Sequence, residues 1–117
     1  TLLAAMLTLA ALTPAQAGEA TVEGVVVTRT AEGTFRFDVT VAHADTGWEH
    51  YADAFVVTTL DGEALGTRTL FHPHVEEQPF TRSLSGVAIP EGMTEVLVHA
   101  HDNVDGAGPP VRVAVPQ

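Results

Sequence analysis

The sequence predicts an all-β fold, an antiparallel sandwich of about seven short strands. Apolar and polar residues alternate in several segments, most cleanly from Thr34 to His43. Turn signals rich in Gly, Asp and Pro separate these segments at intervals of about ten residues. Almost no stretch after residue 20 has helical periodicity. These three observations together favour strands joined by short turns over any helical fold.

Each predicted strand has its own support. The first is rich in β-branched residues, the second carries Phe35, Phe37, Val39, Val41 and His43 on one face, and the sixth turns Val96, Val98 and Ala100 inward. Asp61-Gly62 is typical of a tight hairpin. This number and spacing of strands is the pattern of an Ig-like sandwich, with an open barrel as the alternative. The predicted strands are Thr21 to Thr30, Thr34 to His43, His50 to Leu60, Leu65 to Phe71, Phe80 to Ser85, Thr94 to His101 and Val111 to Val115.

The first 17 residues have the character of a targeting segment. Residues 2–12 form an apolar run, and Pro14-Ala15-Gln16-Ala17 places small residues where a signal peptidase cuts. We expect residues 1–17 to be the end of a signal peptide, truncated at its start and cleaved after Ala17. Residues 18–117 would then be a single β-sandwich domain, periplasmic or secreted. A buried or membrane-anchoring helix is the alternative, although the run is shorter than the ~20 residues that span a bilayer.

Composition limits the possible partners. The chain has 15 acidic and 5 basic residues, a formal net charge of −10, and no cysteine. Such a surface repels phosphate backbones and anionic lipids, so we expect neither nucleic-acid binding nor a membrane role beyond export. The same surface attracts cations.

The histidines are expected to meet at one end of the sandwich. Because successive strands run in opposite directions, the loops after the second, fourth and sixth strands emerge at the same pole. All six histidines map to that pole, and the opposite turns contain none. They are His43, His50, His72, His74, His99 and His101.

Four of these histidines form two His-x-His pairs, His72/His74 and His99/His101. Side chains at i and i+2 on a strand point the same way about 6.7 Å apart, which lets two imidazoles converge on one ion. These four are the first candidates for metal ligands, with His43 and His50 next. Imidazole with carboxylate suits Cu(II) or Zn(II). The acidic residues that would complete the coordination, or orient an imidazole by a hydrogen bond, are Glu76, Glu77, Asp45 and Asp102.

Several motifs carry a resemblance. H-A-D-T-G-W-E-H-Y-A-D (43–53) and H-P-H-V-E-E-Q-P-F-T-R-S-L (72–84), followed by A-H-D (100–102), resemble a group of small exported bacterial single-domain β proteins of unassigned function. The segment from Ile89 to Gly106 resembles the last hairpin of Ig-like and fibronectin-III-like modules. The resemblance implies that Asp105 stands where relatives carry a histidine, so a metal site that uses this histidine would be altered here.

The sequence leaves more than one function open. The first is an exported module that buffers, carries or senses Cu(II) or Zn(II) at the histidine-rich pole. The second is a protein- or glycan-interaction module that uses the same pole without metal, with Trp48 and Tyr51 as candidate anchors, although we expect these two rings to cover the end of the core. Clustered imidazoles would also suit a pH-sensitive interface. No catalytic motif is present, so we predict no enzyme, with an open metal centre as the one alternative.

Overall fold

The computed structural model describes residues 18–117, and the predicted signal peptide, residues 1–17, lies outside this range. The described chain forms strands and no helix that is long and apolar enough to cross a membrane. The strands are β1 (Thr21–Ala31), β2 (Thr34–Ala42), β3 (Ala52–Thr58), β4 (Ala64–Thr69), β5 (Phe80–Ala88), β6 (Glu95–Asp102), β7 (Gly106–Ala107) and β8 (Val111–Ala114).

These strands form two antiparallel sheets. One has three strands in the order β1-β2-β5, and the other has the order β4-β3-β6-β7, with β8 also paired to β6. The predicted sandwich is therefore confirmed. The strand that the sequence analysis missed is the two-residue β7, which is too short to show an alternating pattern.

The core lies between the inner faces of the two sheets. In β2 the buried residues are Phe35, Phe37, Val39 and Val41, and in β6 they are Val96, Val98, Ala100 and Asp102. The predicted inward faces of both strands are thus correct. Fully buried Phe37, Phe55 and Phe80 each contribute about 1.5–3 kcal/mol through removal of apolar surface from water. Among the described residues, the hydrophobic cluster extends from Ala20 to Val115.

Strand register places three loops at one end of the sandwich. Ala52 pairs with Asp102, Ala54 with Thr69, and Val41 with Phe80. The loops 43–51, 70–79 and 103–105 therefore share one pole, as predicted from alternating chain direction. The start of β1 joins them there because Thr21 pairs with Ala42. We call this end, formed by residues 18–20, 43–51, 70–79 and 101–105, the histidine pole.

Candidate metal centre

The centre of the histidine pole is built by two inward-facing positions on opposite sheets. His43 follows Val41 in the alternation of β2, and Asp102 follows Ala100 in the alternation of β6. Their side chains therefore close the end of the core, and they are 1% and 0% exposed. At this end of the core two ionisable side chains occupy inward positions, whereas the preceding inward positions of both strands carry apolar side chains.

Three side chains bring their donor atoms together here. His43 Nε2 lies 3.2 Å from His50 Nε2, and His50 Nε2 lies 3.2 Å from Asp102 Oδ1. His43 Nε2 and Asp102 Oδ2 are 3.7 Å apart. Within residues 18–117 this is the group of three His, Cys, Asp or Glu residues whose donor atoms all lie within 4.8 Å of one another.

A tight turn in the loop 43–51 returns His50 to His43. The His50 amide donates to Gly47 O at 3.2 Å, and the Thr46 amide donates to His50 O at 3.0 Å. Gly47 has φ +144°, a conformation that side-chain-bearing residues rarely adopt. The turn sets the two imidazole rings edge to face, with centroids 4.7 Å apart.

Two further oxygen atoms border the group. Asp105 Oδ2 lies 3.1 Å from His50 Nε2, and the carbonyl oxygen of Gly18 lies 3.1 Å from His43 Nε2. Asp105 comes from the turn between β6 and β7, and Gly18 precedes β1. Two imidazole nitrogens, two carboxylates and a backbone carbonyl thus face one small volume.

Asp45 orients His43 from behind. Its Oδ1 accepts a hydrogen bond from His43 Nδ1 at 2.5 Å and another from the Ala52 amide at 3.0 Å, and its Oδ2 accepts from the His74 amide at 2.7 Å. Because a carboxylate only accepts, Nδ1 carries the ring proton of His43, and in the neutral ring Nε2 presents its lone pair to the group. This is the carboxylate–histidine arrangement that supports metal ligation.

The Asp102 carboxylate is buried as an anion. Burial by itself raises the pKa of this group, but the amide N–H groups of Asp105 and Val104, at 2.6 and 2.8 Å from Oδ1, and the two imidazoles outweigh it and lower the pKa. The other oxygen, Oδ2, is buried without any hydrogen-bond donor among the described residues. A buried anionic oxygen without a donor is costly, and it marks a place that a cation would fill.

The pair His72/His74 lies in the loop 70–79, outside the group. The His74 ring stacks on Phe80 with centroids 4.0 Å apart, and its Nε2 accepts from Arg82 at 3.0 Å. The exposed His72 ring lies 4.8 Å from that of His74. Of the two acidic residues predicted to assist, Glu77 pairs with Arg82 at 3.1 Å and Glu76 is exposed. Side-chain contacts of this loop therefore hold these imidazoles apart from the inward-facing pair.

The pair His99/His101 lies on the outer face of β6, as its opposition to the buried valines predicted. His101 Nδ1 pairs with Asp53 Oδ1 at 2.6 Å. His99 was expected at the strand end, but it pairs with Val56 within the strand, so this placement was wrong. Burial first, and then the His101 charge, lowers the pKa of His99. The two His-x-His pairs thus lie on different elements, a loop and the outer face of a strand. The imidazoles that meet are His43 and His50, which ranked second in the sequence analysis.

Trp48 corrects another expectation. Instead of covering the core, its indole is 64% exposed at the tip of the loop 43–51, with its ring edge against Tyr51 at 5.5 Å between centroids. Asn103 fixes both residues, because its Oδ1 accepts from the Tyr51 amide at 2.9 Å and its Nδ2 donates to Trp48 O at 3.1 Å. Trp48 lies outside the core because the alternation of β2 ends at His43.

The sequence analysis did not propose two oxygen atoms that border the group as candidate metal ligands. They belong to the Asp105 carboxylate and the Gly18 carbonyl. Asp105 had been considered only as the replacement of a histidine. Gly18 leaves no side-chain signal, but its position was implied: it precedes a strand whose antiparallel neighbour ends next to His43.

Comparison with known proteins shows one informative similarity. The chain is 42% identical over 90 residues to a Halomicrobium mukohataei protein described as "Putative lipoprotein". The match covers 77% of this chain and 44% of the relative, so the chain spans less than half the length of that protein. No family model matches the chain, and no solved structure matches it. The likeness of its motifs to those of small exported bacterial proteins stays a prediction.

Proposed function

We propose that this protein is an exported β-sandwich that binds one divalent transition metal ion, Zn(II) or Cu(II), at His43, His50 and Asp102. The observation that carries the proposal is the buried Asp102 Oδ2, which has no hydrogen-bond donor within residues 18–117 and lies 3.7 Å from His43 Nε2. With the two imidazole rings neutral, as metal ligation requires, a metal ion between these atoms would supply positive charge beside the Asp102 carboxylate.

The spacing of the donor atoms supports the same conclusion. Ligands at about 2.0–2.1 Å from a tetrahedral ion are separated by about 3.3 Å. The separations of 3.2 Å between the two Nε2 atoms and 3.2 Å between His50 Nε2 and Asp102 Oδ1 are close to that value. The donors therefore need little movement to surround an ion of this size.

Donor chemistry limits the choice of ion. Two imidazoles with carboxylate oxygens suit Zn(II) and Cu(II), whereas Ca²⁺ and Mg²⁺ prefer oxygen ligands throughout. At equal ligands Cu(II) binds more tightly than Zn(II), so availability outside the cell would decide between them. The His50 and Asp105 side chains are 26% and 36% exposed, which leaves the site open to solvent on one side. This exposure suits a protein that carries, buffers or senses an exchangeable ion.

Export is supported by two observations. The relative with 42% identity is described as a lipoprotein, a class attached to the cell envelope, and residues 1–17 have the composition of a signal peptide. We propose a periplasmic or secreted location on this basis.

Calorimetric titration of Zn(II) and of Cu(II) into chelator-treated protein tests the proposal. We expect one ion per chain with a Kd below about 10 μM, which corresponds to about −7 kcal/mol. His50→Ala removes one ligand and should abolish this binding. His99→Ala is the matched control, since His99 lies on the outer face of β6, and it should bind as the wild type does. Binding that survives His50→Ala and is lost in His99→Ala would reject this site.

A second candidate function is a protein- or glycan-interaction module, and the exposure of Trp48 favours it. Phe71, Val75 and Val104 are also exposed at the histidine pole, so three loops present apolar side chains there. Trp48 is the only tryptophan of the chain, so its fluorescence reports on this surface. Titration with a set of neutral and acidic oligosaccharides should shift the emission in wild type, with chelator present, if the pole binds glycans. Unchanged emission across the set would contradict glycan binding at the histidine pole.

A further inference from the structure

The segment that precedes β1 is built into the histidine pole. Ala20 is fully buried in the core, and Thr21 pairs with Ala42 at the end of β2. A Cβ on Gly108 would collide with the carbonyl oxygen of Ala20, so the backbones of these two residues approach closely. Residues 18–20 therefore hold a defined position beside the metal centre.

Gly18 lies between two groups that border the proposed ion. Its carbonyl oxygen is 3.1 Å from His43 Nε2. A Cβ added to Gly18 would lie 2.8 Å from Asp105 Oδ2, so the Cα is in close approach to that carboxylate and a side chain would crowd it. A side chain at residue 18 would require the Asp105 carboxylate to shift, so the backbone of residue 18 lies close to both His43 and Asp105.

The predicted signal-peptide cleavage falls directly before this residue. Hydrolysis of the Ala17–Gly18 peptide bond consumes one water molecule, leaves a carboxylate on Ala17 and leaves an α-amino group on Gly18. The nitrogen of a protonated peptide amide is a poor metal ligand because its lone pair is delocalised into the carbonyl, whereas an α-amine offers a lone pair once its proton is released. Cleavage would thus change the Gly18 nitrogen from a non-ligand into a ligand.

We propose that the mature chain begins at Gly18 and that its α-amino nitrogen and carbonyl oxygen chelate the ion held by His43, His50 and Asp102. This inference rests on the proposed function. The two Gly18 atoms are separated by only two carbons, so a metal ion that takes both closes a five-membered ring. The carbonyl oxygen is already within the group of donors, and a ring of this size brings the amine to the same ion.

The proposal links metal binding to maturation. In the precursor, the nitrogen of residue 18 is part of a peptide bond, and the site lacks one of its ligands. Removal of the signal peptide completes the site, so tight metal binding begins only after export. The amine also adds a third nitrogen ligand, which favours Cu(II), a metal that prefers nitrogen-rich tetragonal coordination.

Two proteins that differ by one residue test this proposal. The first comprises residues 18–117 with Gly18 as its first residue, and the second retains Ala17 in front of it. Both are titrated with Cu(II) in competition with a chelator of known affinity, and both are examined by electron paramagnetic resonance. We expect the chain that begins at Gly18 to bind Cu(II) at least about tenfold more tightly than the chain that retains Ala17. Removal of a group that only orients a ligand already lowers metal affinity by about tenfold or more, and removal of a ligand should cost at least as much. We also expect its spectrum to show one more nitrogen ligand.

Controls separate this inference from the proposed function. His50→Ala in both proteins should abolish binding, which ties the signal to the metal centre. If the two chain lengths bind Cu(II) equally and give the same spectrum, while His50→Ala still abolishes binding, the amine is not a ligand and the metal centre stands. If His50→Ala leaves the difference between the two chains intact, the amine binds copper elsewhere and the proposal is rejected. The intact mass of the protein purified from its own cells should correspond to a chain that starts at Gly18, and any other start contradicts the proposal.

Discussion

His43 Nε2 and His50 Nε2 lie 3.2 Å apart, although His43 directly follows β2 of the three-stranded sheet and His50 precedes β3 of the opposite sheet. No side chain separates the two nitrogens. His43 cannot turn away, because Asp45 holds its other ring nitrogen at 2.5 Å in a fully buried contact. The group is therefore already ordered without an ion, and for the proposed ion this would reduce the cost of ordering the ligands.

Asp45→Asn should destabilise the fold. The carboxylate accepts from His43 Nδ1 and from the Ala52 and His74 amides, and an amide side chain offers only one oxygen for three donors. We expect a loss of about 3 kcal/mol in the free energy of unfolding, measured by urea denaturation with chelator present. Asp53→Asn is the matched control, because its contact with His101 is partly exposed and should cost no more than about 1 kcal/mol. Equal losses in the two variants would contradict this prediction.

Asp102→Asn should separate stability from binding. The asparagine oxygen still accepts from the Val104 and Asp105 amides, and its NH₂ group takes the place of the oxygen that has no donor. Without metal we expect a free energy of unfolding within about 1 kcal/mol of that of wild type, because the partner gained at Oδ2 opposes the loss of an anion whose pKa the folded state lowers. Metal affinity should fall at least about tenfold, measured by calorimetry. A large loss of stability with retained affinity would show that Asp102 is a structural anion and no ligand.

Zn(II) should stabilise the folded protein by linkage. At a free concentration about 100 times Kd, an ion that binds only the folded state adds about 2.7 kcal/mol. For a domain of this size that corresponds to a rise in Tm of roughly 10 °C or more, measured by calorimetric or spectroscopic melting. The rise should be absent in His50→Ala and present in His101→Ala. A rise of the same size in both variants would point to binding outside the proposed centre.

His74 should make stability depend on pH. Burial first, and then the charges of Arg82 and His72, lower the pKa of His74, although Glu77 and Asp45 act in the opposite direction. Below the ordinary value of 6.5 the unfolded chain takes up a proton that the folded chain does not, so stability falls as pH decreases from about 6.5 toward the folded-state pKa. The slope from this one group is at most about 1.4 kcal/mol per pH unit. His99 contributes with the same sign, because its pKa is also lowered.

His74→Phe tests this contribution. Phenylalanine keeps the stacking on Phe80 and removes a ring nitrogen, Nδ1, that is buried without a partner among the described residues. The difference in the free energy of unfolding between pH 7.5 and 5.5, measured in urea with chelator present, should be smaller in the variant than in wild type. An unchanged difference would mean that His74 is protonated equally in both states.

The fold was predictable because alternation is a local property. The pattern of Phe35, Phe37, Val39 and Val41 determined the inner face of β2, and chain direction then placed the loops at their poles. The same alternation already contained two residues of the candidate metal centre. His43 and Asp102 occupy the next inward positions in the alternation of β2 and β6. The sequence analysis nevertheless ranked the two His-x-His pairs first as metal ligands, because it gave more weight to residue type than to the inward face. On β6 the alternation that buries Asp102 turns His99 and His101 outward.

Loop geometry was not predictable in the same way. The position of His74 depends on the Asp45 carboxylate, which lies 29 residues earlier in the chain and accepts from its amide. The approach of the Gly18 carbonyl to His43 likewise arises from the register of β1 against β2. Contacts of this kind involve backbone atoms that every residue carries, so they cannot be predicted from residue type.

The proposed centre would join the two sheets at their shared end, since His43 directly follows β2 of one sheet and Asp102 ends β6 of the other. Small exported domains commonly secure such a junction with a disulfide, and this chain has no cysteine. With the proposed ion in place, the cross-link between the sheets would resist thiol reductants and would be broken by chelators. The rate of proteolysis at the histidine pole should then decrease when metal is available outside the cell, and it should not depend on the redox potential there.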